Sequence, residues 1–158
     1  MRILPRFAAA LLLLAAHSAT AQTRMLRSPS VSRANIAFAY AGNLWIVDRA
    51  GGAARRLTSF AGEASNPKLS PDGSRVAFSA QYAGNVDVYV LPAEGGEPRR
   101  LTYHPGADQV QGWTPDGKDV VFNSARASNG PGAIPRFYVV SSDGGTERAM
   151  PQPRAYQG

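Results

Sequence analysis

The sequence predicts an all-β fold, a β-propeller whose blades each contain four antiparallel strands. The turn box S-P-D-G at residues 70–73 returns as T-P-D-G at residues 114–117, which is 44 residues later. A double glycine at residues 51–52 returns at 95–96 after 44 residues and at 144–145 after 49. A period in the forties, with short strands between turns, is typical of propeller blades. Three such units are present, so we expect about three blades and an incomplete propeller.

Alternating side chains support this prediction independently of the turns. The second strand of each unit places large apolar residues at every other position, and the third strand places one aromatic residue in a β-branched run. Such patterns fit sheets that pack on neighbouring sheets. The second-strand residues are Ile36, Phe38 and Tyr40, then Val76 and Phe78, then Val120 and Phe122; the third-strand aromatics are Trp45, Tyr89 and Tyr138.

Residues 1–21 are predicted to be a secretory signal peptide rather than part of the fold. Arg2 and Arg6 form a basic start, an unbroken apolar run follows, and Ala19-Thr20-Ala21 fits a cleavage site. The apolar run is too short to span a bilayer. We therefore expect cleavage after Ala21, a periplasmic or secreted protein, and a propeller region over residues 22–158 with no membrane span.

The first unit, the blade at about 26–60, lacks the S-P-D-G turn box after its first strand but otherwise follows the repeat pattern. Residues 31–35 replace S-P-D-G by V-S-R-A-N, a degenerate turn of the kind that a first repeat often shows. Strands are predicted at residues 26–32, 36–40, 43–48 and 55–58.

The second unit, the blade at about 64–104, has the clearest turn chemistry. In the 70–73 box, Pro71 presets φ, Asp72 can bond neighbouring main chain, and Gly73 tolerates a positive φ. The third strand is a nearly continuous apolar run, which is typical of a strand covered on both faces. Strands are predicted at residues 66–70, 75–79, 87–91 and 99–102.

The third unit, the blade at about 109–151, is longer than the others, and its last strand departs from the repeat sequence. The spacer at residues 127–135 carries the five extra residues that lengthen the period, so we interpret it as an inserted loop. R-A-M-P at residues 148–151 stands where R-R-L-T stood twice. Strands are predicted at residues 110–114, 119–124, 137–141 and 147–150, and no amphipathic helix is expected after residue 21.

Composition excludes several function classes. The formal charge of +6 falls to +4 when Arg2 and Arg6 leave with the signal peptide. Fifteen of the 17 basic residues are arginines, scattered in runs no longer than two, whereas nucleic-acid binding favours a clustered basic face. With no cysteine there is no disulfide framework. We expect no nucleic-acid partner and no cofactor.

Candidate catalytic and metal-binding residues are few, and we predict none of either kind. His104 is the single histidine after residue 21, and Asp108 lies four residues on. One histidine with one carboxylate is an incomplete metal site, and Pro105-Gly106 favours an inter-blade loop. No G-x-S-x-G elbow is present.

Other polar residues have a structural interpretation that we prefer. Asp72 and Asp116 lie in boxes that lack the alternating carboxylates of a calcium loop, so they are predicted to form turns. Asn85, Asp87 and Glu63 either terminate strands, which we favour, or line a peptide-contacting surface. Trp45 and Trp113 are expected to pack between blades, and the Gly-Gly pairs cradle no phosphate because no helix follows them.

Several stretches together resemble the start of tricorn-type proteases. They are residues 43–47, 62–67, 84–108, 112–117 and 154–158, with 84–117 the most particular. The S-P-D-G and G-G boxes alone are shared with TolB-type and prolyl-oligopeptidase-type propellers. The resemblance implies a large serine peptidase whose N-terminal propellers filter or channel peptides toward a catalytic part with a PDZ-like module far downstream. No residue of this chain inherits a catalytic role from it.

The leading hypothesis is therefore an exported, non-catalytic propeller segment of a tricorn-like serine peptidase that gates or docks peptides. The alternative is a periplasmic TolB-like propeller that binds a protein partner, and a third is the cap of a prolyl-oligopeptidase-type enzyme. Whether the chain acts within an enzyme is left open by the sequence. Because three blades leave sheet faces uncovered, we also expect self-association or low stability of this chain by itself.

Overall fold

The computed structural model describes residues 25–127 and 134–151, and these residues form three four-stranded antiparallel sheets. The first sheet contains β1 (Arg27–Val31), β2 (Asn35–Tyr40), β3 (Asn43–Asp48) and β4 (Arg55–Arg56). The second contains β5 (Ala64–Leu69), β6 (Arg75–Ala80), β7 (Asp87–Pro92) and β8 (Arg99–Arg100). The third contains β9 (Asp108–Trp113), β10 (Asp119–Ser124), β11 (Arg136–Ser141) and β12 (Arg148–Ala149). The predicted fold class is confirmed, and none of the described residues is helical.

Within each sheet the spatial order equals the chain order, so each unit is a four-stranded meander, as a propeller blade is. We call the sheets blades 1, 2 and 3. The first strands of neighbouring blades, β1 with β5 and β5 with β9, contact each other. The fourth strands are two residues long and lie at the opposite edge. The chain therefore builds an arc of blades with the first strands on its inner side.

The first strands differ from their predicted bounds because each contains a β-bulge. In blade 2 the register shifts between Ser65 and Lys68, so Asn66 and Pro67 have no partners on β6. Blade 1 repeats the shift between Arg27 and Ser30. A bulge keeps the strand extended while it re-aims the chain, and β5 consequently begins two residues earlier than predicted.

The fourth strands are two residues long, shorter than predicted, and in blades 1 and 2 a threonine hydroxyl lies just beyond the end of the ladder. The Leu44 N–H donates to Thr58 Oγ1 at 2.9 Å, and the Val88 N–H donates to Thr102 Oγ1 at 3.0 Å. A side chain thus takes the place of a main-chain acceptor in both R-R-L-T segments. In blade 3 the equivalent residue is Pro151, which has no hydroxyl.

Two hydrophobic clusters join the blades. The cluster between blades 1 and 2 includes Leu44, Ile46, Phe78 and Tyr89, and the cluster between blades 2 and 3 includes Val90, Phe122 and Tyr138. Blade 2 contributes to both, which is why β7 is buried from Asp87 to Leu91, as its apolar run predicts. Of the described residues, none forms a helix long and apolar enough to cross a membrane.

Candidate functional site

A cleft of about 310 Å³ opens between blades 1 and 2, at the start of their first strands. Three segments form its walls: the start of β1, the β2–β3 turn, and the segment that leads into β5. Its lining includes one cation, one anion and several small residues, namely Met25, Arg27, Ser28, Ala39, Tyr40, Ala41, Gly42, Glu63, Ala64, Ser65 and Asn66.

The β2–β3 turn at the cleft is a tight two-residue hairpin. Tyr40 pairs with Asn43, and the two residues between them, Ala41 and Gly42, have φ values of +50° and +73°. Two successive positive φ values are the geometry of a type I′ turn, which matches the twist of the strands that it joins. Alanine rarely adopts a positive φ, so the backbone at this wall of the cleft is strained.

Two more strained residues face each other across the bulged strands. Ser28 and Asn66 have φ values of +50° and +48°, and each precedes a proline. The Ser28 hydroxyl donates to Asn66 Oδ1 at 3.0 Å, which ties β1 to β5. Strained non-glycine residues cluster at functional sites more often than elsewhere. Pro29 and Pro67 remove donors from strand edges, which limits uncontrolled strand pairing there.

Gly62 places Glu63 at the rim of the cleft. Its φ is +110°, and a Cβ on this residue would lie 2.5 Å from the Gln81 carbonyl oxygen. A side chain is therefore excluded on both conformational and steric grounds. Two main-chain bonds then fix the segment: the Ala64 N–H donates to the Gly42 carbonyl at 2.9 Å, and the Gln81 N–H donates to the Glu63 carbonyl at 3.0 Å.

The lining of the cleft is suited to binding rather than to nucleophilic catalysis. Its described lining contains no histidine or cysteine, and the Ser28 hydroxyl donates to an amide oxygen, which is not a general base. Arg27 and Glu63 are both exposed and carry opposite charges. In the described ranges no cluster of three or more histidine, cysteine, aspartate or glutamate residues is placed to hold a metal ion.

The other polar residues singled out in the sequence lie elsewhere. His104 Nδ1 accepts the Gly106 N–H at 2.9 Å, within its own loop, and the His104 carbonyl accepts the Asn85 amide at 2.6 Å. Asp108, the carboxylate nearest to His104 in sequence, is fully buried and is paired with Arg126 at 2.6 Å. His104 and Asp108 therefore make separate contacts, both of which are structural.

Asp87 is a buried carboxylate at the start of β7 rather than part of the cleft. It is paired with Arg100 at 2.7 Å and also accepts the Asn85 amide at 3.2 Å. Burial raises the pKa of Asp87, and the nearby Arg100 guanidinium opposes that effect. Of the three residues considered for a peptide-contacting surface, Glu63 lines the cleft, whereas Asn85 and Asp87 do not.

The aspartates of the two turn boxes are held by hydroxyl and main-chain donors. Ser70 and Ser74 donate to the Asp72 carboxylate at 2.5 and 2.7 Å, and these bonds lower the pKa of Asp72 to about 2. The Thr114 hydroxyl, at 2.6 Å, likewise lowers the pKa of Asp116. Both aspartates are therefore hydrogen-bonded within their own turns, as the sequence predicted.

The two tryptophans have different surroundings. The Trp113 indole N–H donates to the Lys68 carbonyl at 2.8 Å and so ties blade 3 to blade 2. The Trp45 indole donates within blade 1 to the Tyr40 carbonyl at 3.3 Å, and its ring contacts the Tyr40 ring edge-on. Trp45 therefore lies next to a residue that lines the cleft.

Sequence reasoning missed most of this site. Arg27, Ser28 and Asn66 were not singled out, although the recurring small polar residue before a proline was visible in S-P and N-P. The positive φ at these positions depends on the bulges, which periodicity alone does not reveal.

Three four-stranded meanders that pack side by side through their first strands define the class of this protein as a β-propeller domain. The family model described as the tricorn protease N-terminal β-propeller domain matches residues 23–158, so the chain belongs to that family. The expected resemblance is thereby confirmed.

Solved structures agree with this assignment. The chain superposes on a TolB protein from Agrobacterium tumefaciens with a TM-score of 0.67 and 24% identity, covering 81% of this chain and 46% of that one. TolB from Acinetobacter baumannii gives 0.64 and 25%, covering 81% and 32%. The tricorn protease gives 0.64 and 27%, covering 76% and 12%. The chain thus spans less than half of each of these proteins, and a search of curated proteins gave no match.

Proposed function

We propose that this chain is the exported, non-catalytic peptide-docking part of a tricorn-like serine peptidase. The observation that carries this proposal is the cleft between blades 1 and 2. It opens at the inner strands, and its described lining combines an arginine and a glutamate with the small polar residues Ser28, Ser65 and Asn66, and holds no histidine or cysteine. A peptide offers complementary amide groups and charges of both signs, so it is the ligand class that this lining fits.

Charge-neutralising variants of the cleft test the proposal. Fluorescence anisotropy of labelled short peptides is measured with residues 22–158, with Glu63→Gln and Arg27→Gln as the test variants. Each is expected to weaken binding by roughly tenfold, since each removes one charge-assisted hydrogen bond. Glu97→Gln and Arg33→Gln, which change exposed residues outside the cleft, are the matched controls and are expected to bind as the parent does. Equal affinities for all five proteins would refute peptide docking at this cleft.

The second candidate function is a TolB-like module that binds a folded protein partner. It is favoured by the TolB structures, which superpose as well as the tricorn protease does. Short peptides would then fail to bind the parent chain, while a folded partner would bind irrespective of Glu63 and Arg27. The same anisotropy series, repeated with candidate folded proteins, separates the two functions.

Export to the periplasm or beyond forms part of the proposal and is tested separately. Residues 1–21 are fused to a reporter that is active outside the cytoplasm. The fusion is expected to be active and cleaved after Ala21, and Ala21→Leu is expected to accumulate as the uncleaved precursor. A reporter that stays in the cytoplasm would overturn this part while leaving peptide docking untouched.

A further inference from the structure

A series of four aromatic rings in contact connects the core between blades 1 and 2 with the surface. Phe78 and Tyr89 are buried in the hydrophobic cluster of this interface. The Tyr82 ring packs on both, with centroid separations of 6.2 Å from Phe78 and 5.1 Å from Tyr89. The Phe60 ring lies on Tyr82 at 5.6 Å and is 44% exposed. Phe60 is therefore the solvent-facing end of a series of rings that is anchored in the core.

The segment that carries Phe60 also carries Glu63, the carboxylate of the cleft. Gly62 lies between them against Tyr82, since a Cβ on Gly62 would stand 3.1 Å from the Tyr82 Cδ1 atom and 2.5 Å from the Gln81 carbonyl oxygen. The Gln81 N–H donates to the Glu63 carbonyl at 3.0 Å. Three Cα–Cα steps place the Cα atoms of Phe60 and Glu63 no more than about 11 Å apart. One fixed segment therefore holds the exposed ring close to the cleft.

The equivalent loop at the other interface lacks this exposed aromatic end. One repeat of 44 residues later, His104 stands in place of Phe60 and Arg126 in place of Tyr82. His104 is only partly exposed, and Arg126 is paired with the buried Asp108. The exposed end of the aromatic series thus occurs at the interface that has the cleft, and the repeat itself does not require it.

A ring that other rings hold at the surface is a preformed contact for a large apolar side chain. Because Tyr82 already restricts the Phe60 ring, that ring loses little further freedom when a ligand covers it. Aromatic rings attract one another in offset and edge-to-face arrangements, beyond the effect of the apolar area that they bury. Glu63 thus offers a ligand a negative charge, and Phe60 offers an apolar surface next to it.

We propose that Phe60 determines the specificity of the cleft, and that the preferred peptides carry a large apolar side chain within about three residues of a lysine or arginine. The basic residue pairs with Glu63, and the apolar side chain packs on the exposed part of the Phe60 ring. An extended peptide advances about 3.3 Å per residue, so it covers the distance between the two contacts in about three residues. This inference rests on the proposed peptide docking and adds a sequence preference to it.

Four labelled peptides built on one scaffold test this preference. They carry lysine or glutamine at one position and phenylalanine or alanine two positions later, and fluorescence anisotropy with the full chain measures their affinities. For the parent, phenylalanine in place of alanine is expected to raise the affinity roughly tenfold, because the peptide ring and the Phe60 ring bury apolar area against each other. Lysine in place of glutamine is expected to raise it by roughly the same factor through its charge-assisted bond to Glu63.

Variants of the chain assign each gain to its residue. Phe60→Ala is expected to lose the gain from phenylalanine and to keep the gain from lysine, whereas Glu63→Gln is expected to do the reverse. Phe60→Leu keeps an apolar side chain on Tyr82 and is expected to reduce the phenylalanine gain to roughly threefold, since only the contact between rings is lost. Tyr103→Ala is the matched control. Tyr103 is an aromatic residue that is 69% exposed on the loop between blades 2 and 3, and this variant is expected to bind all four peptides as the parent does.

The outcomes separate the sequence preference from peptide docking itself. A phenylalanine gain that is absent from the parent, or that persists in Phe60→Ala, would overturn the preference, while a lysine gain that depends on Glu63 would still support docking. Loss of both gains in a Phe60→Ala variant that circular dichroism shows to be folded would mean that Phe60 only shapes the cleft, and would also overturn the preference. Failure of the parent to bind any of the four peptides would overturn both proposals.

Discussion

The two inter-blade interfaces contain the same stacked pair of a phenylalanine and a tyrosine, but a different side chain packs on that pair in each interface. Between blades 1 and 2, the Phe78 and Tyr89 rings stack at 5.7 Å, and Tyr82 packs on both of them. Between blades 2 and 3, Phe122 and Tyr138 stack at the same distance, and the residue over them is Arg126, 4.9 Å from the Tyr138 ring centroid. Tyr82 and Arg126 are separated by one repeat of 44 residues.

The two interfaces also differ at the residue that begins the first strand of the following blade. Ala64, at the start of β5, corresponds to Asp108, at the start of β9, and each donates its N–H to the preceding blade. Ala64 lies at the cleft, whereas Asp108 is fully buried against Arg126. Beside the shared apolar cluster and stacked rings, the first interface thus adds a tyrosine ring and leaves room for a cleft, while the second adds an arginine that forms a buried ion pair within blade 3. The same main-chain hydrogen bond to the preceding blade is therefore compatible with both arrangements of side chains.

Arg126→Tyr is expected to give the largest effect on stability. It removes the partner of a fully buried carboxylate, and breaking one side of a buried ion pair costs about 3–5 kcal/mol. The Asp108 Oδ1 atom already has no hydrogen-bond partner among the described residues, so the loss is not shared with other donors. Urea denaturation gives the free energy of unfolding.

The double variant Arg126→Tyr with Asp108→Ala copies the first interface into the second. It is expected to recover most of that loss, since an apolar replacement of both partners of a buried pair is often neutral or stabilising. If the double variant is as unstable as Arg126→Tyr, the two interfaces are not interchangeable.

Thr58→Val and Thr102→Val are expected to rank next. Each leaves one buried N–H, that of Leu44 or Val88, without its acceptor, at a cost of about 1–3 kcal/mol. Both threonines are almost fully buried, so the two losses should be similar in spite of the different interfaces. Thermal unfolding monitored by circular dichroism measures them. If only one of the two variants were destabilised, the equivalent hydrogen bonds of blades 1 and 2 would contribute unequally to stability, against this prediction.

The smallest expected effect lies in the turns. Asp72 of blade 2 has a lowered pKa of about 2, and blade 1 has no aspartate in its equivalent turn. A lowered pKa means that its ionised form stabilises the fold above the ordinary value near 3.8, and that this contribution disappears as the pH falls toward 2. Asp72→Asn should therefore be slightly less stable than the parent at neutral pH, with the gap closing between pH 4 and 2. A gap independent of pH would contradict this assignment.

The sequence predicted the blades well because the information is local. Strands β3 and β10 have the predicted bounds, Asn43–Asp48 and Asp119–Ser124, since period-two alternation and a turn define them completely. Periodicity does not show which residues meet between blades. The ion pair between Asp108, at the start of β9, and Arg126, two residues after β10, cannot be predicted from the sequence of either segment alone. The predicted signal peptide, residues 1–21, and most of the predicted inserted loop, residues 128–133, lie outside the described residues.

The candidate site was harder to predict than the fold for the same reason. Glu63 was considered either to terminate a strand or to line a peptide-contacting surface, but its neighbours in the cleft come from β1 and the β2–β3 turn. Their convergence depends on two bulges and on three residues with positive φ, Ser28, Ala41 and Asn66. These are properties of the packed backbone; asparagine tolerates a positive φ, but serine and alanine do not favour it.

The central claim is that the first interface binds peptide while the second is structural, and the two tryptophans allow a direct test. Trp45 is bonded to Tyr40, which lines the cleft, whereas Trp113 belongs to the contact between blades 2 and 3. Tryptophan emission is followed during peptide titration of the parent, Trp45→Phe and Trp113→Phe. The account predicts that the peptide-induced change persists in Trp113→Phe and disappears in Trp45→Phe. A change that persists in Trp45→Phe and disappears in Trp113→Phe would place the bound peptide at the second interface and contradict it.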